Sequence, residues 1–308
     1  MSQSRLLPCA FAALASFVLY AGVVTLPFAA VPVAAIGLAF GLAEAALAAA
    51  FALLLTGFLL SPPMAFVFAL FLLIPTLALI RRALMSRADA DHSGQFQFYP
   101  PRFIIEDTLI IAAMGALLVY LGFADYTGGL PKILADTMYE TPEIMQTLEA
   151  VYGTSTLGEV SIIANWVLIT GFASWPILML GGLQIAQAGT VYFSRNLRPT
   201  PDYKTLTLPS YLTFGIAACF IASFIFDGWL ANLALTLAAI AISAYFLLGL
   251  AIIHAISGAW KGRALFLTAL YFFLLMTAWV IIPVSLMGLL DGRFNFRRLP
   301  RNPDKSSD

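Results

Sequence analysis

The chain of 308 residues is 61% hydrophobic and only 10% charged, and its 16 basic and 16 acidic side chains cancel to a net charge of zero. Soluble domains carry about 25% charged residues, and no basic tract is present to hold a nucleic acid, so a water-soluble globule and a nucleic-acid partner are both excluded. Mean hydropathy is +0.92.

The apolar residues come in long blocks, against the roughly 20 that one membrane-spanning helix needs. They do not alternate in segments of about 10 residues, as the strands of a membrane barrel do. The expected fold is all-α: a polytopic transmembrane helical bundle, one integral membrane domain over 1–308, with the lipid bilayer as its first partner.

MSQSR followed by LLPCAFAALASFVLY opens like a signal sequence. The apolar run then continues with no polar start of a mature domain, which predicts an uncleaved first span. Cys9 and Cys219 both lie in apolar blocks and offer neither a disulfide framework nor metal-ligand spacing.

The first helical block, 6–80, holds a single charged residue, Glu44. TLPFAAVP (25–32) and GFLLSPP (57–63) carry the helix-ending prolines and glycines. The piece between them, near 30–60, would be about 45 Å long as one helix, against a hydrocarbon core of about 30 Å. It is either one long tilted helix or two short spans with a turn near residue 43. On a continuous helix Gly37, Gly41, Glu44 and Ala48 share one face of small residues, which directs the carboxylate toward a neighbouring helix. Glu44 reads in two ways: a proton, cation or ligand-amine site at mid-bilayer, or a carboxylate at a helix end near the headgroups.

The loop 81–103 carries Arg81, Arg82, Arg87 and Arg102, and the loop 194–208 carries Arg195, Arg198 and Lys204. Cationic loops stay cytoplasmic, so both are placed on that side, and Arg5 favours four spans before Arg81. A span at 104–123 leads to the acidic loop 124–158, with Asp125, Asp136, Glu140, Glu143 and Glu149 against Lys132. That loop belongs on the outer face. Apolar residues there recur at helical spacing on either side of Pro142, which predicts two short amphipathic helices. Glu106 and Asp107 fit the first turn of the preceding span, where carboxylates complement the helix dipole.

The block 159–193 would be about 50 Å long as one helix. It carries Asn165, Trp175-Pro176, Gly181-Gly182, Gln184 and Gln187. Broken helices lined by polar residues mark transporter binding sites; the other reading is a kinked helix running past the bilayer. Further spans fill 209–290, and a polar, basic tail covers 291–308. Lys261 and Arg263 ask for the cytoplasm, and so does the tail, which one simple span between them cannot satisfy. A break at Pro283 is one solution, and eight or nine spans are expected in all. His254, late in AYFLLGLAIIHAISGAW, is either a ligand or proton-relay residue or an interfacial histidine bonded to backbone.

No phosphate-binding loop, HExxH, CxxC or G-x-S-x-G pattern occurs, and His92 and His254 are the only histidines. The expectation is no enzyme, no cofactor and no metal, with Glu44, Asn165, Gln184, Gln187 and His254 as candidate ligand or ion residues. Four stretches carry a family likeness: SPPMAFVFALFLLIPTLALIRRAL (61–84), TLPSYLTFG (207–215), YFLLGLAIIHA (245–255) and GLLDGRFNFRR (288–298). With them the chain resembles the YybS-like family of uncharacterised multi-pass bacterial membrane proteins, which looks distantly akin to the substrate-binding subunits of energy-coupling-factor transporters. The resemblance implies a helical bundle of the bacterial cytoplasmic (inner) membrane that captures a small molecule. It also implies docking on a transmembrane coupling protein with ATPases, with no ATPase of the chain's own. The alternative is a membrane scaffold or assembly factor for the cell envelope.

Overall fold

The computed structural model describes residues 5–22, 24–88, 96–126, 128–152, 160–201 and 206–298. His92, Lys204 and the tail beyond Arg298 lie outside the described residues, and so do the readings made of them. Within them the chain is helical, apart from one ribbon in which β1 (Ser86–Ala88) pairs antiparallel with β2 (Phe96–Phe98). Among the described residues five helices are long and apolar enough to cross a membrane: Leu42–Leu59, Pro62–Leu84, Pro101–Gly122, Val160–Tyr192 and Gly228–Ile256. The protein is thus an all-α membrane protein. The shorter apolar helices, of 10 to 16 residues, reach about 15–24 Å and fall short of the roughly 30 Å core. Against the eight or nine spans expected, five helices among the described residues have the length and composition to cross.

The chain divides into two compact units, residues 1–111 with 175–202 and residues 112–174 with 203–308. In the first, α1 (Leu6–Ala21) is followed by α2 (Val31–Phe40) and α3 (Leu42–Leu59). Gly41 separates the last two at φ 114°, a backbone conformation that residues with a Cβ rarely adopt. The stretch 30–60 is therefore two helices. The expected single face of Gly37, Gly41, Glu44 and Ala48 is overturned, because Gly37 belongs to α2 while Glu44 and Ala48 belong to α3. Gly37 instead packs against Ile80 and Ala45. Ala45, Ala48, Ala49 and Ala52 are buried, and this small-residue face lets α3 approach α1 and α2 closely.

Ser61 opens the next helix by accepting the Met64 N–H, with Pro62 and Pro63 in the first turn, where a missing N–H costs nothing. This helix, α4 (Pro62–Phe68), passes through a π-helical turn (Ala69–Leu73) into α5 (Ile74–Leu84). Pro75 offers no N–H to the carbonyl of Phe71, four residues earlier. The indole N–H of Trp175 donates to that carbonyl at 2.9 Å instead. Tyr20, at the end of α1, stacks on Phe68 with ring centroids 4.1 Å apart and donates to the Met64 carbonyl at 2.9 Å.

Beyond the ribbon, α6 (Pro101–Gly122) leads into the acidic loop, which forms α7 (Gly129–Glu140) and α8 (Pro142–Tyr152), parted at Pro142 as the apolar spacing predicts. Ala135 and Met138 of α7, with Leu134 and Met145, form a small core with Val160 and Ala164 of α9 (Val160–Tyr192). α9 is one helix of 33 residues with Pro176 inside it; it does not break there or at Gly181-Gly182. In the second unit follow α10 (Tyr211–Ile225), α11 (Gly228–Ile256), α12 (Arg263–Met276) and α13 (Ile281–Phe294). The last block breaks at Thr277, whose backbone is extended at φ −148°. Pro283 does not make the break; it sits in the first turn of α13, where a proline fits. Gly288 of α13 meets Tyr245 and Gly249 of α11, and Gly249 meets Val284, so the two helices run antiparallel with backbones touching.

Candidate functional site

Five side chains were singled out by sequence, and the fold gives them different surroundings. Glu44 and Gln187 belong to the first unit, as does the half-buried Gln184; Asn165 and His254 belong to the second.

Glu44 lies in the first turn of α3, where the break at Gly41 puts it, and is 6% exposed. Its Oε1 accepts from Arg5 Nη1 at 2.8 Å, and its backbone carbonyl accepts from the Cys9 thiol at 3.6 Å. The starts of α1 and α3 thus lie side by side. The carboxylate faces protein at the helix-end position, not a ligand space. Gln187 is buried, and its Nε2 donates to the Arg198 carbonyl at 2.9 Å.

Arg198 itself carries more of this end than any candidate. It is 4% exposed. Its Nη1 donates to the Ala83 carbonyl at 2.9 Å and its Nη2 to the Tyr99 carbonyl at 2.8 Å. The guanidinium lies 5.7 Å from the centre of the Phe98 ring. Ala83 is in the last turn of α5, where carbonyls lack intrahelical donors and attract cations. Leu197 N–H closes the same gap at α2, donating to the Leu38 carbonyl at 2.9 Å. Arg82 forms a bidentate pair with Asp107, Nε and Nη2 each reaching one carboxylate oxygen. Sequence reading took Arg198 only as a topology charge. The legible signal was a lone arginine between Leu197 and Pro199, after a helix end.

In the second unit Asn165 belongs to a polar cluster inside apolar helices. Its Nδ2 donates to Asn232 Oδ1 at 2.7 Å. Thr236 donates to the Asn232 carbonyl at 2.8 Å, so the Tyr120 hydroxyl is the donor in its 3.1 Å bond to Thr236. Tyr120 is among the largest fully buried side chains. The Oδ1 atom of Asn165 is buried and has no hydrogen-bond partner. Sequence reading found Asn165 and missed the rest. Asn232 and Thr236, four apart on α11, share one helix face, and that spacing was the available signal.

His254 Nδ1 donates to the Leu250 carbonyl at 2.9 Å, which leaves Nε2 to accept from the Tyr271 hydroxyl at 3.4 Å. This is the backbone-bonded arrangement. Asp291, which sequence reading placed at the head of the polar tail, is buried in α13, and Arg297 reaches its Oδ2 at 2.5 Å.

No family model, curated protein or solved structure matches the chain.

The YybS-like resemblance therefore rests on the four quoted stretches alone. Among the described residues no group of three His, Cys, Asp or Glu side chains is placed to hold a metal ion. A cavity lined by Pro27, Ala30, Thr76, Leu79, Met179 and Gly182, among others, encloses about 10 Å³, room for one water at most. Among the described residues Ser16 Oγ, Asn165 Oδ1 and Asp291 Oδ1 are buried without a hydrogen-bond partner, and of these only Asn165 sits among further polar side chains of neighbouring apolar helices.

Proposed function

We propose that the protein is a transport-related, small-molecule-binding subunit of the bacterial cytoplasmic membrane. In this reading it has no enzymatic activity and no ATPase of its own, and it works beside a transmembrane coupling protein driven by ATPases. The observation that carries the reading is the buried, unpartnered Asn165 oxygen beside Asn232, Thr236 and Tyr120. A buried acceptor without a donor costs about 1–3 kcal/mol, and polar groups inside a membrane bundle mark ligand paths. The cluster suits a ligand that presents an O–H or N–H. Eight or nine spans, with the loops 81–103 and 194–208 cytoplasmic and α7 and α8 outside, belong to the same proposal.

The test uses the purified full chain in nanodiscs and a panel of vitamins and metal ions. One compound should raise the melting temperature, with about 2.7 kcal/mol of stabilisation at 100 times its Kd. Asn165→Leu should melt cooperatively but lose that response. A second reading, a scaffold or assembly factor for the envelope, is favoured by Glu44, Gln187 and His254, whose hydrogen bonds are made within the chain and not held open for a ligand. A flat response across the panel, with envelope proteins alone recovered in a pull-down, would decide for the scaffold.

A further inference from the structure

Arg198 is a staple, and the two segments it joins each carry a further arginine close by in the chain, as does its own segment. Its guanidinium ties the end of α5 at Ala83 to the segment after β2 at Tyr99, while its own backbone is held by Gln187 and Asn196. Arg81 precedes Ala83 by two residues, Arg102 follows Tyr99 by three, and Arg195 precedes Arg198 by three. At no more than about 3.6 Å of chain per residue, all three backbones lie within roughly 18 Å of one guanidinium. All three side chains are exposed.

The recorded ion pairs among the described residues join Arg5 to Glu44, Arg82 to Asp107 and Arg297 to Asp291. None of them neutralises Arg81, Arg102 or Arg195. Arg102 is also held in place, its guanidinium 4.6 Å from the centre of the Phe103 ring, which Arg82 approaches to 5.8 Å. Tyr192 and Phe193, beside Arg195, are 82% and 72% exposed. Exposed aromatic rings next to cations at the end of apolar helices match the headgroup level of a bilayer, where amphipathic rings and snorkelling arginines settle.

We propose that the Arg198-stapled end of the first unit is a binding surface for anionic phospholipid headgroups, with Arg81, Arg102 and Arg195 as the phosphate-contacting residues. Arginine suits this partner because its planar fork donates two parallel hydrogen bonds to phosphate oxygens. The buried staple sets the spacing of the three forks, so the surface is formed before any lipid arrives.

The experiment reconstitutes the full chain in phosphatidylcholine nanodiscs containing 10–20% phosphatidylglycerol, on the order of what leaves the anionic lipid scarce. Lipid retained by the protein after mild detergent transfer is then counted by native mass spectrometry. One cation near an anionic surface is worth about fivefold in partition, so the ratio of retained phosphatidylglycerol to retained phosphatidylcholine should exceed the bulk ratio about fivefold to tenfold. The enrichment should shrink when ionic strength rises from about 0.05 M to 0.5 M, as screening requires. The triple variant Arg81→Gln, Arg102→Gln, Arg195→Gln should lose it, Arg195→Gln alone should weaken it, and Lys132→Gln, an exposed change in α7, should leave it intact. Retention of the two lipids in their bulk ratio by the unchanged chain, or full enrichment in the triple variant, overturns the proposal. So does an equal effect of free inorganic phosphate, which would make the ligand a soluble anion. Loss of enrichment from Lys132→Gln would also overturn it, since net charge rather than this surface would then be the cause.

Discussion

Phe71 and Trp175 show how a membrane helix tolerates a proline. Pro75 removes the donor that the Phe71 carbonyl would use, and lipid offers no replacement. The π-helical turn at Ala69–Leu73 turns that carbonyl toward α9, and the Trp175 indole N–H takes the vacant place. Trp175→Phe keeps the aromatic bulk and removes only the donor. It should lower stability by about 1 kcal/mol, read as a fall in the denaturant or thermal midpoint of the purified chain. Pro75→Ala in the same background should recover most of the loss, because an alanine N–H restores the carbonyl's own partner. The same accounting explains Glu44. Its charge is met by Arg5, whose side chain is half exposed, so the pair settles where the start of α3 lies more than it stabilises the fold.

Among the elements, the α11–α13 crossing depends most on single atoms. A Cβ on Gly288 would be driven into the Tyr245 carbonyl oxygen, and one on Gly249 into that of Val284. Backbone cannot yield as a flexible side-chain end does, so the helices must part. Gly288→Ala should cost about 2–3 kcal/mol, although alanine is the better helix former. Gly249→Ala should cost a similar amount, and the double variant less than the sum, because the first substitution already separates the pair. Gly215→Ala, with open space around it, should be neutral or slightly stabilising. Melting curves of the four variants check all of this. Periodicity and turn chemistry made most elements legible: the breaks near Pro27 and Ser61, the paired helices at Pro142 and the long helix 159–193. The position of the break after α2 was not legible to the residue, since Gly37 and Gly41 fit a continuous small-residue face equally well. Gly41 becomes a hinge because α2 packs on α5 through Gly37, which one straight helix through Glu44 would not allow.

For the whole molecule, charge distribution argues for orientation. The ends bearing Arg81, Arg102 and Arg195 are drawn to one place by Arg198, as two loops on one side of a membrane should be. On a background of Cys9→Ala and Cys219→Ala, Thr200→Cys should react with an impermeant thiol reagent only after the membrane is permeabilised. Asp136→Cys, in α7, should react in intact spheroplasts; the reverse pattern would invert the assignment. The sequence by itself determined that this chain is helical and lives in a bilayer, because apolar block length and scarcity of charge are properties of composition along the chain. It also located Asn165, since one amide in an apolar run is visible without a fold. Tertiary structure alone decided which polar groups remain open. Glu44, Gln187 and His254 are met by Arg5, the Arg198 backbone and Leu250 with Tyr271, while Asn165 gains Asn232 and keeps one oxygen without a donor. Hydrogen-bond satisfaction depends on which helices lie opposite one another, and most of those partners are 11 to 67 residues away along the chain.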